Sequence, residues 1–167
     1  SELVLDLTDL ADNATPSGVS VATGVLVAFA SLAAEFRDVA AASVAQGSSF
    51  AIASPRFGGW ALAAGQAWIS GSGVIAVVGT PTVPSFSELH LTALKAGIAG
   101  FAVVPTNGAA SSVVPFLADR GQLDGSPVAF LCRDSVCQLP VNTPVELIGL
   151  VSAHHATTSK VGPGLAE

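Results

Sequence analysis

The chain has 167 residues, half of them apolar and only 11% charged, with a formal net charge of −6. Soluble proteins carry about a quarter charged residues. A surface this poor in charge points to a neighbour other than water: the rest of a longer polypeptide, a second subunit or a membrane. The few basic residues (Arg37, Arg56, Lys95, Arg120, Arg133, Lys160) are scattered. They form no stripe of the sort that a phosphate backbone needs, which excludes nucleic acid as a partner.

The segment 14–34 carries no charge and is long enough to span a bilayer. It is interrupted by Thr15, Pro16, Ser17, Gly18, Ser20, Thr23, Gly24 and Ser31, and it lacks both flanking basic asymmetry and an aromatic belt. A soluble helical core is the expected reading, and no membrane partner is expected. The chain opens at Ser1-Glu2-Leu3 without a basic n-region and contains no Met. The absence of Met fits an expressed segment, a proteolytic fragment or a processed chain equally well, and without an export signal a cytoplasmic location is expected.

In chain order, 12–18 is rich in cap and turn residues, and a long helix is expected over Val19–Ala34. A second helix is expected over Glu35–Ala45, broken by Gln46-Gly47-Ser48-Ser49 and followed by a short apolar stretch, Phe50–Ala53. A third, about Gly58–Ile69, places Trp60, Ala64 and Trp68 on one face. The period then changes. Val74–Val78, bounded by glycines, reads as a buried strand, and Phe101–Val104 as another. Between them Ser85–Ala96 reads as a helix capped by Ser85, with Leu89, Leu91, Leu94 and Ala96 as its apolar residues. Val113–Ala118 is expected to be a short helix or turn. Val128–Cys132 and Val136–Leu139 read as strands joined by the tight turn Arg133-Asp134-Ser135. Pro144–Leu150 is a last helix, with Thr143 as cap and Pro144 at the first helical position. The remainder, 151–167, shows no period and is expected to be a mobile tail. The fold class is therefore mixed α and β: a helical part over 1–71, a small α/β unit with a C-terminal β-hairpin over 72–150, and a flexible tail over 151–167.

Two groups of residues can carry chemistry. Asp12, Asn13, Ser17 and Ser20 offer a carboxylate, an amide and two hydroxyls that could bind a polyol; the same residue types also start helices, with Asp12 or Ser17 as cap. Cys132 and Cys137 would lie near one another across the hairpin. They read either as a reversible redox pair or as two reduced, buried cysteines, and the expectation for the cell is free thiols. The Cys-x4-Cys spacing is not that of a thioredoxin-like active site. Gly71-Ser72-Gly73 and Gly79-Thr80-Pro81 are turns rather than phosphate loops, so no cofactor is expected. His90 has no ligand partner one helical turn away, and His154-His155 sits outside any pattern, so no metal is expected. No serine lies in a nucleophile elbow.

Four strings, in order, resemble the C-terminal region of the spermatogenesis-associated protein 20 family, the bacterial thioredoxin-domain-containing proteins. They are Asp12-Asn13-Ala14-Thr15-Pro16-Ser17-Gly18, Pro55-Arg56-Phe57-Gly58-Gly59-Trp60, Val74-Ile75-Ala76-Val77-Val78-Gly79, and the segment 131–140 with Cys132, Arg133, Cys137 and Pro140. The resemblance implies a parent with a thioredoxin-like domain, absent here, followed by an (α/α)6 toroid like those of sugar epimerases and six-hairpin glycosidases. This chain would supply the last antiparallel toroid helices and the α/β unit. It implies a parent that binds or converts a sugar-like small molecule or, alternatively, a redox or interaction platform whose active part is the thioredoxin-like domain. Partners would be the rest of the parent polypeptide or a second subunit. Val19 stands where the family pattern has Asn.

Overall fold

The computed structural model describes residues 9–107, 117, 120–133 and 136–158, with 155–158 described by backbone alone. Five α-helices and a four-stranded mixed sheet are found among them. The chain divides into two compact units, Ser1–Ser72 and Gly73–Glu167.

The first unit is helical: α1 (Gly18–Phe29), α2 (Arg37–Ala53) and α3 (Gly59–Ser70), with single 3-10 turns at Ala34–Phe36 and Pro55–Phe57. Helix α1 ends earlier than its apolar run suggests, at Phe29, and a turn carries the chain on through residues 30–32. Helix α2 departs further from expectation. It runs unbroken through Gln46-Gly47-Ser48-Ser49, where the sequence reads as a break. The reason is tertiary. A Cβ on Gly47 would stand 3.3 Å from the Ala61 Cβ, and one on Gly65 would stand 3.1 Å from the Ser48 hydroxyl. The small residues are the contact between α2 and α3, and close packing outweighs the roughly 1 kcal/mol that a mid-helix glycine costs relative to alanine. Gly58 serves the same purpose at the chain reversal, where any side chain would run into Ala51.

The unit's interior is correspondingly fine-grained. Val27, Ala40, Ala51, Ala61, Ala64 and Ala67 are buried, together with Ser20 and Thr23. The Thr23 and Ser43 hydroxyls share a 2.7 Å hydrogen bond between α1 and α2. Larger apolar side chains lie outside: Val21, Val25, Phe29, Val39 and Leu62 are exposed, Trp60 is 57% accessible, Ile52 76% and Ile69 80%. The expectation that Trp60, Ala64 and Trp68 share a face holds for spacing only. Ala64 is buried, Trp68 is half-buried with the Arg37 guanidinium 5.7 Å from its ring centre, and Trp60 faces out.

The second unit is a βαβ element extended by a hairpin. Strand β1 (Gly73–Val78) leads into α4 (Pro84–Ala96) and then β2 (Phe101–Thr106), which pairs with β1 in parallel. On the other side β1 pairs antiparallel with β3 (Val128–Arg133), and β3 with the short β4 (Val136–Cys137), giving the order β2-β1-β3-β4. Central β1 is buried along its whole length, as its unbroken apolar run predicts. Strand β2, expected to be buried, is an edge strand and only half-buried; there Pro105 is tolerated because nothing pairs with that side among the described residues.

The core lies between the sheet and two helices. Ile75 and Val77 of β1 and Ala129 and Leu131 of β3 meet Phe86, Leu89 and Ala93 of α4 and Leu147 and Val151 of α5 (Pro144–Thr158). Helix α4 is not capped by Ser85, which lies inside it. Pro84 starts the helix after Val83, whose side chain makes no capping bond. Of its leucines, Leu89 is fully buried while Leu91 and Leu94 are exposed.

Helix α5 starts as expected and ends later. Thr143 accepts from the Glu146 N–H at 3.3 Å, and the Glu146 carboxylate accepts from the Thr143 N–H at 3.2 Å, a reciprocal capping box. The helix then continues to Thr158, through residues expected to begin a tail. Two contacts hold this extra length: Val151 enters the core, and His154 lies edge-on to Phe101, with Nε2 2.9 Å from an Arg133 guanidinium nitrogen. Neither contact leaves a local sequence signature. The short element expected over Val113–Ala118 and the turn residues Asp134 and Ser135 lie outside the described residues, except for Leu117, which is buried. Among the described residues no helix is long and apolar enough to cross a membrane.

Candidate functional site

Asp12, Ser17 and Ser20 come together, buried, at the start of α1, while the neighbouring Asn13 is exposed. Ser17 is the N-cap of α1: its hydroxyl accepts from the Ser20 N–H at 3.1 Å and donates to the Ser20 hydroxyl at 2.9 Å. Asp12 does more than a local cap. One carboxylate oxygen accepts from the Ser17 N–H at 2.9 Å, and the other accepts from the Trp60 N–H at 2.8 Å. Its own N–H donates to the Phe57 carbonyl at 2.7 Å. A single buried carboxylate therefore closes the N-terminal ends of both α1 and α3. Both ends carry the positive pole of a helix dipole and unsatisfied N–H groups, which favours a negative charge between them.

Burial alone would push the Asp12 carboxyl up. The Ser17 N–H, the Ser20 side chain and the N–H groups of Trp60 and Ala61 outweigh that and hold it below its ordinary 3.8. The carboxylate is thus kept ionised and fully engaged with the protein. The sequence identifies Asp12 and Ser17 as capping residues but not Trp60 as the second partner, which lies 48 positions away. A signal for it exists: α3 begins at Gly58-Gly59 with no Ser, Thr, Asp or Asn of its own to cap it, so its first N–H groups need an acceptor from elsewhere.

The cysteines occupy a second place, on β3 and on β4, the edge strand of the sheet among the described residues. Cys132 and Cys137 are direct partners in the β3–β4 register, and their sulfurs are bonded. The structure holds the bonded form of the pair, where free thiols are expected for the cell. The hairpin places the two side chains opposite one another on the same face, where Cβ separations suit a bridge. Cys132 is buried at 2% accessibility and Cys137 is partly exposed. Among the described residues no group of three or more His, Cys, Asp or Glu side chains is arranged to hold a metal ion.

The structure thus defines a two-unit chain, a small-residue helical unit and an α/β unit, with a dual helix cap in the first and an edge disulfide in the second. Comparison with known proteins finds no matching family model, no matching curated protein and no matching solved structure.

Proposed function

We propose that this chain is the C-terminal piece of a thioredoxin-domain-containing toroid protein, and that its helical unit acts as a packing and interaction module closing the (α/α)6 toroid. The observation that carries the reading is the inverted apolar distribution of α1–α3, with alanines inside and Val21, Val25, Ile52, Trp60 and Ile69 outside. Helices of this kind bury their outer faces against further helices, either from the same polypeptide or from a second subunit. Asp12, Ser17 and Ser20 then hold the helix starts, the role their hydrogen bonds support. For the whole protein the proposed ligand is a sugar-like small molecule; of the four candidate residues, Asn13 is the one exposed to meet it. The alternative, a redox or interaction platform in which a thioredoxin-like domain is the active part, draws support from the Cys132–Cys137 bond. A cytoplasmic location belongs to the same proposal. The test is the association of the isolated chain. Light scattering at roughly tens of micromolar, where contacts of micromolar affinity populate, is expected to show oligomers. A monodisperse monomer at that concentration overturns the interaction reading.

A further inference from the structure

We propose that the Cys132–Cys137 bond is a thiol–disulfide exchange site, entered at Cys137 and opened by a reductant that carries two thiols. The inference goes beyond the reading of the helical unit and stands or falls apart from it. Three features of the hairpin carry it. First, the two sulfurs differ in access. Cys132 lies on β3, flanked by β1 and β4, and is buried; Cys137 lies on the outermost strand and is partly exposed. An incoming thiolate must reach a sulfur, and of the two residues Cys137 is the more exposed.

Second, register selects the class of reductant. Attack on Cys137 forms a mixed disulfide there and expels Cys132 as a thiolate. Cys132 remains directly across the ladder from Cys137, so it re-attacks at a high effective concentration and restores the original bond. A monothiol is therefore rejected. A dithiol escapes this reversal: its second thiolate attacks its own bonded sulfur, expels Cys137 as a thiolate and leaves as a disulfide. Two electrons pass to the cysteine pair, and the two protons shed by the dithiol are balanced by the two taken up by Cys132 and Cys137.

Third, the strand does not depend on the bond. The Gln138 N–H donates to the Leu131 carbonyl at 2.9 Å, and Ala129 and Val141 exchange two backbone hydrogen bonds of 2.7 and 3.0 Å. These tie the segment after β4 to β3 on the far side of the disulfide. The reduced chain keeps its sheet, so the bond can close again. A partly exposed, reversible bridge of this type is compatible with a reducing compartment, where disulfides are transient rather than structural.

The test uses the full chain, oxidised and folded. It is exposed to dithiothreitol or to glutathione at equal thiol concentration, quenched by alkylation and read by peptide mass. Dithiothreitol is expected to yield doubly alkylated Cys132 and Cys137 in the folded chain, with an unchanged far-UV circular dichroism spectrum. Glutathione is expected to be slower by roughly ten-fold or more, without accumulating an adduct. In single variants exposed to glutathione disulfide, the adduct on Cys137 in Cys132→Ser should form roughly ten-fold faster than that on Cys132 in Cys137→Ser. Reduction only after unfolding in guanidinium marks a structural bond and overturns the proposal. So do equal rates with the two reductants, loss of the spectrum on reduction, or a faster adduct on Cys132. The wild-type arm decides the matter even where a serine variant does not fold.

Discussion

In the α/β unit the large aliphatic side chains are inside, with Ile75, Leu89, Leu131 and Leu147 all buried between sheet and helices. In the helical unit alanines and small polar residues fill the interior, while Ile52 and Ile69 are its most exposed large apolar residues among those described. The difference shows two ways of making a compact unit from a chain that is half apolar. The α/β unit removes large apolar surface from water, the dominant favourable term in folding. The helical unit gains close approach instead, through Gly47, Gly65 and alanines, and adds polar links such as Thr23–Ser43 and the Asp12 double cap. A unit of the second kind leaves apolar surface exposed. It also depends more heavily on a few directional bonds.

The sharpest way to probe the contrast is truncation in the α/β core. Leu89→Ala removes a fully buried side chain and is expected to cost about 2–5 kcal/mol, read as a lower denaturant midpoint for the transition that includes the sheet. Among the described residues of the helical unit the largest fully buried apolar side chain is Val27, and the largest single effect there is expected at Asp12. Asp12→Ala strands the Ser17 and Trp60 N–H groups, which bond a charged acceptor, and is expected to cost about 1.5–3 kcal/mol. Asp12→Asn keeps one acceptor oxygen and should lose less.

The same residue gives a pH signature. Its carboxyl is lowered in the folded state from the ordinary value of 3.8. The unfolded chain therefore binds a proton first as pH falls. The Asp12 contribution is fully present above 3.8 and disappears as pH drops below it, through the folded value. Unfolding followed from neutral pH into that acid range should show this loss in the wild type and not in Asp12→Asn. An identical acid profile for the two proteins would remove the carboxylate from the account of stability.

Next in size is overpacking of the small-residue contact. Gly47→Leu drives a side chain toward Ala61 and is expected to cost about 1–3 kcal/mol, where a swap on an open surface would cost little. The smallest expected effect on stability, and the most informative about the outer faces, is that of Ile52→Gln with Ile69→Gln. Each is expected to shift stability by no more than about 0.5 kcal/mol, since both side chains are exposed and Gln is a good helix former. Self-association in light scattering should nevertheless fall. A large loss of stability with unchanged association would assign these isoleucines to the unit's own core.

Much of the α/β unit was legible in the sequence because its signals are local. The unbroken apolar run at Val74–Val78 marks a central strand, the tight turn marks a hairpin, and Thr143-Pro144 marks a helix start. The hairpin reading also put Cys132 and Cys137 across from one another, although composition argued for free thiols and the structure bonds them. The candidate site was half legible. Asp12 and Ser17 have the residue types of helix caps, and both bond to Ser17 or Ser20 nearby.

What the sequence by itself determined was the change from helical to strand period near residue 72, the elements around it and the residue types able to cap or bridge. Tertiary structure decided the rest. It carried α2 through a glycine-serine stretch because that stretch is where α3 packs. It lengthened α5 because Val151 and His154 found partners in the core, in Arg133 and in Phe101. It made Asp12 the shared cap of two helices because the Trp60 N–H, far along the chain, arrives unsatisfied at the same place. In each case propensity measures a residue against its neighbours in sequence, while the deciding interaction joins residues that are neighbours only in space.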